Sequence, residues 1–195
     1  MNGERRESRR DRRGLYRGLL EFPIILIVAF ALVFGFVRPV IAAPFYVGSE
    51  SMEPALHGCK GCANDRLLIN KLVYDFSEPE RGDIVLFEDV QGGEDPLIKR
   101  VIGLPGEKIE LRRGKLYLNG EPQQEPYVVN DPCVPGRPKT CTFGPVAIPE
   151  NHYFMMGDNR TNSVDSRFFG AVPRENLIGE GFIRFWPPGR AGVPS

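Results

Sequence analysis

Apolar positions fall into one long run followed by a series of short ones. Residues 22–37, "FPIILIVAFALVFGFV", carry no charge, and apolar character resumes after Arg38 as "PVIAAPFYV". With Arg38 snorkelling to the far interface, residues 22–43 supply the roughly 20 positions a helix needs to cross a hydrocarbon core. The pattern predicts a transmembrane helix over 22–43. A buried core helix and a cleaved export signal are the alternatives. For the latter, "IAA" at 41–43 offers small residues, but Pro44 would follow the cut and the run is long for a signal core.

Beyond this run the pattern shortens. "RLLINKLVY" (66–74), "DIVLF" (83–87), "LIKRVIGLPG" (97–106), "HYFMMG" (152–157), "RFFGAV" (167–172) and "LIGEGFIRFWP" (177–187) read as strands. "KIELRRGKLYLNG" (108–120) alternates on either side of Arg113-Gly114, which predicts a hairpin. No long helical period and no internal repeat appears outside the membrane run. The expected fold class is mainly β, with a single N-terminal transmembrane helix. Its parts are a basic cytoplasmic tail (1–21), the helix (22–43), an extracytoplasmic β-rich domain (44–187) and a flexible tail (188–195).

Composition sharpens this picture in two places. Eighteen prolines and 22 glycines in 195 residues fit many turns and few long helices. The net charge is zero, yet residues 1–21 carry seven arginines against four acids, while the remainder is net negative by three. A basic tail points to nucleic acid or to an anionic membrane surface, and the adjoining apolar run favours the membrane. The positive-inside bias keeps the arginine-rich side cytoplasmic and puts residues 44–195 outside.

The four cysteines fit an exported domain. Cys59 and Cys62 form a C-x2-C pair, and Cys133 and Cys141 bracket "CVPGRPKTC". Pairing by proximity gives the disulfides Cys59–Cys62 and Cys133–Cys141, the second loop closure contributing about 2.6 kcal/mol by chain-entropy arithmetic. Two other readings are a zinc site built from Cys59, Cys62 and His57, and a redox-active Cys59–Cys62 pair.

"GSESMEPAL" (48–56) contains two serines, and a serine hydroxyl is a weak nucleophile without a proton acceptor. The chain has only two histidines. His57 lies six residues from Ser51 and His152 precedes a strand, and neither has a G-x-S-x-G context. A lysine amine is the other candidate base. Lys99 lies among Leu97, Ile98, Val101 and Ile102, where burial would disfavour the ammonium. Bringing a lysine from about 10.4 to near 7 requires roughly 4–5 kcal/mol of differential destabilisation. For Lys99 alone, a solvated Lys-Arg pair at a strand edge is the simpler reading.

Four segments change that balance. "SESMEPAL" (49–56), "RGDIVLF" (81–87), "IKRVIGLPG" (98–106) and "GDNRTNSVDSR" (157–167) follow a single apolar run in this order. Together they resemble the bacterial type I signal peptidases, membrane-anchored Ser/Lys endopeptidases, over nearly the whole chain to about Trp186. The "HGCKGC" insertion is most similar to actinobacterial members.

The resemblance implies Ser51 as nucleophile and Lys99 as general base. It implies an oxyanion hole from the Ser49 hydroxyl and the Ser51 backbone N–H, and Ser163 as the group orienting the lysine. Asp165 and Arg167 would form a supporting ion pair, with Asp158, Asn159 and Arg160 shaping the same loop. Phe45, Val47 and Met52 would line small apolar substrate pockets. No cofactor or metal is implied. The expected partners are preproteins with signal peptides, the lipid bilayer and the general secretion machinery, with no nucleic acid. Gly48 and Glu50 depart from the family pattern, and strand alternation predicts that Glu50 faces away from Ser51. Rival readings are a self-cleaving or regulatory Ser/Lys peptidase, and a non-enzymatic tethered redox or metal module using Cys59 and Cys62.

Overall fold

The structure, a computed structural model, describes residues 23–32, 35, 42–129, 133, 136 and 138–194. The chain divides into two units, Met1–Ile41 and Ala42–Ser195. In the first, residues 23–32 are helical, with the side chains of Ile24, Ile25, Leu26 and Ile27 exposed. Within the predicted span 22–43, residues 22, 33, 34 and 36–41 lie outside the described residues. Among those described, no helix is long and apolar enough to cross a membrane.

The second unit is built from antiparallel strands: β1 (Ala42–Tyr46), β2 (Arg66–Asn70), β3 (Ile84–Phe87), β4 (Leu97–Gly103), β5 (Lys108–Arg112), β6 (Lys115–Leu118), β7 (Glu121–Pro122), β8 (Phe143–Ala147), β9 (His152–Met156), β10 (Val172–Pro173) and β11 (Leu177–Trp186). Seven form one sheet in the order β1-β2-β11-β3-β4-β9-β10, and four form a second in the order β7-β6-β5-β8. Mainly β is therefore the observed class. Ala42 and Ala43, placed by the hydropathy pattern in the membrane helix, are extended and pair with Asn70 and Ile69. An apolar run does not distinguish a helix end from a buried strand.

Alternation explains how the large sheet is buried on both faces. Ile84 and Leu86 join one core cluster with Val47, Met52, Leu56, Leu67, Ile69 and Ile98. Their neighbours Val85 and Phe87 join another with Val101, Tyr153, Met155 and Val172. The second sheet closes its own core through Ile109, Leu111, Leu116 and Leu118, packed on Ile102, Phe154 and Met156 of the first. Each such aliphatic side chain contributes about 1.5–3 kcal/mol when fully buried.

Local chemistry sets the element ends. Arg113 and Gly114 take positive φ values of 50° and 76°, as a two-residue hairpin turn with the right-handed strand twist requires. Two expectations fail. Residues 167–172 do not form one strand: Asp165 accepts the Arg167 N–H and caps a helical turn, Ser166–Phe169, which Gly170 ends at φ 89°. The run 66–74 likewise ends at Asn70, whose side chain accepts the Leu72 N–H before a helical turn at Val73–Phe76. The expected flexible tail is also tied down. Residues 188–190 form a 3-10 turn, and Gly192 exchanges two backbone hydrogen bonds with Arg184 of β11.

Candidate active site

Ser51 occupies a 3-10 turn, Glu50–Met52, rather than a continuing strand. The turn stops at Glu53, which is extended as a residue before proline prefers to be. Met52 and Leu56 are wholly buried and anchor it, and the Leu56 N–H donates to the Met52 carbonyl at 2.9 Å. From the other side, the loop after β9 grips the turn. The Asn159 N–H donates to the Ser51 carbonyl, and Asn159 Nδ2 to that of Glu50, both at 3.1 Å. Gly157 permits this approach: a Cβ there would lie 2.4 Å from both the Ser51 carbonyl oxygen and Ser163 Oγ.

Lys99 comes from β4, opposite Val85 of β3. Its side chain is buried, and Nζ donates to the Ile98 carbonyl at 2.9 Å and contacts Ser51 Oγ at 2.8 Å. Burial pushes the amine down from its ordinary value to about 8, while Asp165 and Asp158 pull in the opposite direction. Both carboxylates are themselves paired, which limits that pull. Asp158 binds Arg100 Nε at 2.9 Å and Nη2 at 2.7 Å, and Asp165 binds Arg167 Nε at 2.8 Å and Nη2 at 2.7 Å. Arg160 donates to the Gly157 carbonyl at 3.1 Å and pairs with Glu125. Three arginines thus balance three carboxylates behind one lysine amine.

Ser49 Oγ lies 3.0 Å from Ser51 Oγ. Ser163 is buried, but its Oγ makes no hydrogen bond among the described residues, and the Lys99 amine uses Ser51 and Ile98 instead. Glu50 does face away, for a reason other than strand alternation: in the turn it is exposed, and its carboxylate accepts from Asn162 Nδ2 at 3.1 Å. His57 pairs with Glu53, and His152 Nδ1 contacts the Glu150 carbonyl, so neither hydrogen-bonds Ser51. Cys59 is bonded to Cys62 and Cys133 to Cys141, so neither zinc nor free-thiol chemistry has its thiolates in this state.

A cleft of about 400 Å³ opens beside these groups, lined by Phe45, Tyr46, Gly48, Ser49, Asp95, Pro96, Leu97, Ile98 and Lys99. Of the three residues expected to line substrate pockets, Phe45 lies on the cleft wall. Val47 and Met52 do not: both are fully buried in the core cluster, where they hold the turn instead of a substrate. The sequence reading also passed over Arg100, Glu125 and Asp65. Asp65 is buried, accepts from the His57 N–H at 2.9 Å and is held by Arg184 and Arg190, while its carbonyl accepts the Val47 N–H. For Arg100, the buried apolar neighbours that singled out Lys99 were an equal signal.

Comparison with known proteins gives the family context. The profile described as "Signal peptidase, peptidase S26" matches residues 19–186. The chain is 40% identical over 179 residues to the probable signal peptidase I-2 of Synechocystis sp., covering 89% of this chain and 76% of that protein. It is 33% identical over 225 residues to the signal peptidase I of Mycobacterium tuberculosis, covering 90% and 75%. A crystal structure of a signal peptidase I from Enterococcus faecalis is 35% identical, with a TM-score of 0.46 over 53% of this chain and 97% of that one.

Proposed function

The chain belongs to the signal peptidase family, peptidase S26, and we propose that it is a serine endopeptidase that removes signal peptides from preproteins through Ser51 and Lys99. The observation that carries this reading is the buried Lys99 amine 2.8 Å from Ser51 Oγ. A neutral amine there has a lone pair to take the serine proton, in a position where histidine serves other proteases.

In this mechanism the Ser51 hydroxyl gives its proton to Nζ as Oγ bonds to the scissile carbonyl carbon. The developing oxyanion receives hydrogen bonds from the Ser51 N–H and the Ser49 hydroxyl, each such donor contributing roughly 3–4 kcal/mol to the transition state. The Lys99 ammonium then protonates the leaving amine, the C–N bond breaks, and an ester on Ser51 remains. Water gives a proton to the regenerated amine and attacks that ester, releasing Ser51. The unpaired Ser163 hydroxyl supports a role in holding the Lys99 ammonium once Ser51 Oγ is acylated. Asp158, Asn159, Arg160, Asp165 and Arg167 support the loop that fixes this arrangement.

The substrate binds extended in the cleft. Leu97–Lys99 pair with β3 but not with β9, and β1 pairs with β2 alone, so both strands at the cleft have an edge for β-augmentation. The apolar run ahead of β1, residues 22–41, anchors the enzyme in the cell membrane with the strand-built unit from Ala42 onward on the outer face, where preproteins leave the secretion machinery. The apolar run and the flanking arginines support this.

The test is cleavage of a preprotein carrying an Ala-x-Ala site by the detergent-solubilised protein, beside Ser51→Ala and Lys99→Ala. Cleavage by the parent and loss in both variants is expected. Retained activity in Lys99→Ala would overturn the assignment.

A further inference from the structure

Among the described residues Asp95 is the one acidic residue that lines the cleft. It precedes Pro96, which disfavours a helical conformation at Asp95, and it is exposed in a bend before β4. Among the described residues it has no hydrogen-bond or ion-pair partner. It therefore neutralises nothing in the fold and faces the space a substrate would fill.

The rest of the cleft wall complements a particular side chain. Phe45 and Tyr46 come from β1, and Leu97 and Ile98 from β4. The Tyr46 ring is 56% exposed while its hydroxyl accepts from Asn64 Nδ2 at 2.7 Å, so the ring is tethered at its edge and open on its face. A lysine or arginine could lay its methylenes on these apolar groups and place its charge near the Asp95 carboxylate. The basic side chain lining the cleft is Lys99, which is buried against Ser51.

Spacing gives the position. Asp95 precedes Lys99 by four residues, and the bend at Asp95 keeps their side chains within the roughly 13 Å that fully extended chain would span. A substrate strand running along this edge advances at the same pace.

We propose that Asp95 is a specificity-determining residue that selects substrates carrying lysine or arginine within about four positions of the scissile bond. This rests on the Ser51/Lys99 peptidase reading above. An exposed ion pair of this kind gives about a two- to five-fold preference, reduced by salt.

The experiment uses full-length protein in detergent and peptides with one Ala-x-Ala site, in which lysine, glutamate or glutamine is scanned over the five positions on each side. The readout is the ratio of kcat/KM for the lysine peptide to that for the glutamine peptide within each enzyme. That ratio should exceed about two at one position in the parent and shrink in high salt. It should fall to about one in Asp95→Asn, and Asp95→Lys should prefer glutamate at the same position. A parent that cleaves the glutamine peptide but shows no lysine preference, or a preference unchanged in Asp95→Asn, would overturn the proposal and leave the peptidase reading standing. A parent that cleaves none of the peptides would overturn both.

Discussion

Lys99 Nζ and Ser51 Oγ lie 2.8 Å apart although 48 residues separate them in sequence, and the amine is buried. The contact joins a central strand to a 3-10 turn held between the hydrophobic core and the loop 157–165. Its position against apolar surroundings is what shifts the amine toward neutrality. Its chemistry therefore depends on pH in a defined direction.

In the proposed mechanism activity requires the uncharged amine, and burial brings Lys99 down to about 8. Below that value the reactive fraction falls tenfold per pH unit, and above it the fraction saturates. A profile of kcat/KM against pH should rise with unit slope and level near pH 8. A limb centred near 6.5, the ordinary histidine range, would point to His57 or His152 instead.

The same shift has a cost in stability. The unfolded chain keeps the Lys99 proton up to about 10.5, while the folded chain releases it near 8. Between these values the unfolded state binds more protons, so stability rises with pH, and the penalty is fully present below about 8. Lys99→Met should therefore raise stability at pH 7 by up to about 3 kcal/mol while abolishing cleavage. The gain should shrink as pH approaches 10.5. Thermal unfolding midpoints at pH 7 and pH 10 measure this, and an equal gain at both would mean that packing, not charge, is responsible.

Ser163 separates structure from catalysis in another way. Its buried Oγ has no hydrogen-bond partner among the described residues, an arrangement that costs a fold about 1–3 kcal/mol. Ser163→Ala should leave stability unchanged or raise it by about 1 kcal/mol. If the hydroxyl holds the lysine during the reaction, kcat should nonetheless drop by at least about tenfold, the equivalent of one hydrogen bond to a charged group. A variant with full kcat would remove Ser163 from the mechanism.

What the sequence disclosed follows physical lines. The strands with short, bounded apolar runs were legible, and so was the hairpin at Arg113-Gly114, because period and turn chemistry are local. The serine–lysine pairing was not readable from local pattern, since it depends on a register set by β3, β4 and the packing of Met52. It was implied only by the family resemblance that four segments carry together. Residues 167–172 misled because "RFFGAV" has strand composition, while the capping signal that decides, Asp165, lies just outside it. Val47 and Met52 misled in the opposite sense: proximity to the nucleophile looked like contact with substrate, but their side chains turn into the core. Glu125 gave no signal, because its partner Arg160 is 35 residues away and only the fold brings the second sheet to the catalytic loop.

That last contact carries a prediction about how the two sheets cooperate. Arg160 is almost fully buried, and Glu125, between β7 and β8, supplies its countercharge. Removing one partner leaves an uncompensated buried charge, so Glu125→Gln should destabilise the protein by about 3–5 kcal/mol. Replacing both, as Glu125→Leu with Arg160→Met, should recover most of that loss, because an apolar pair of similar volume avoids the desolvation penalty. Activity should not recover with it. Arg160 Nε also donates to the Gly157 carbonyl, and Arg167 Nη2 donates to the Arg160 carbonyl at 2.9 Å, so the guanidinium fixes the loop that grips the Ser51 turn. The double variant should therefore melt near the parent temperature and turn over substrate more slowly. Recovery of both together would show that the ion pair serves stability alone.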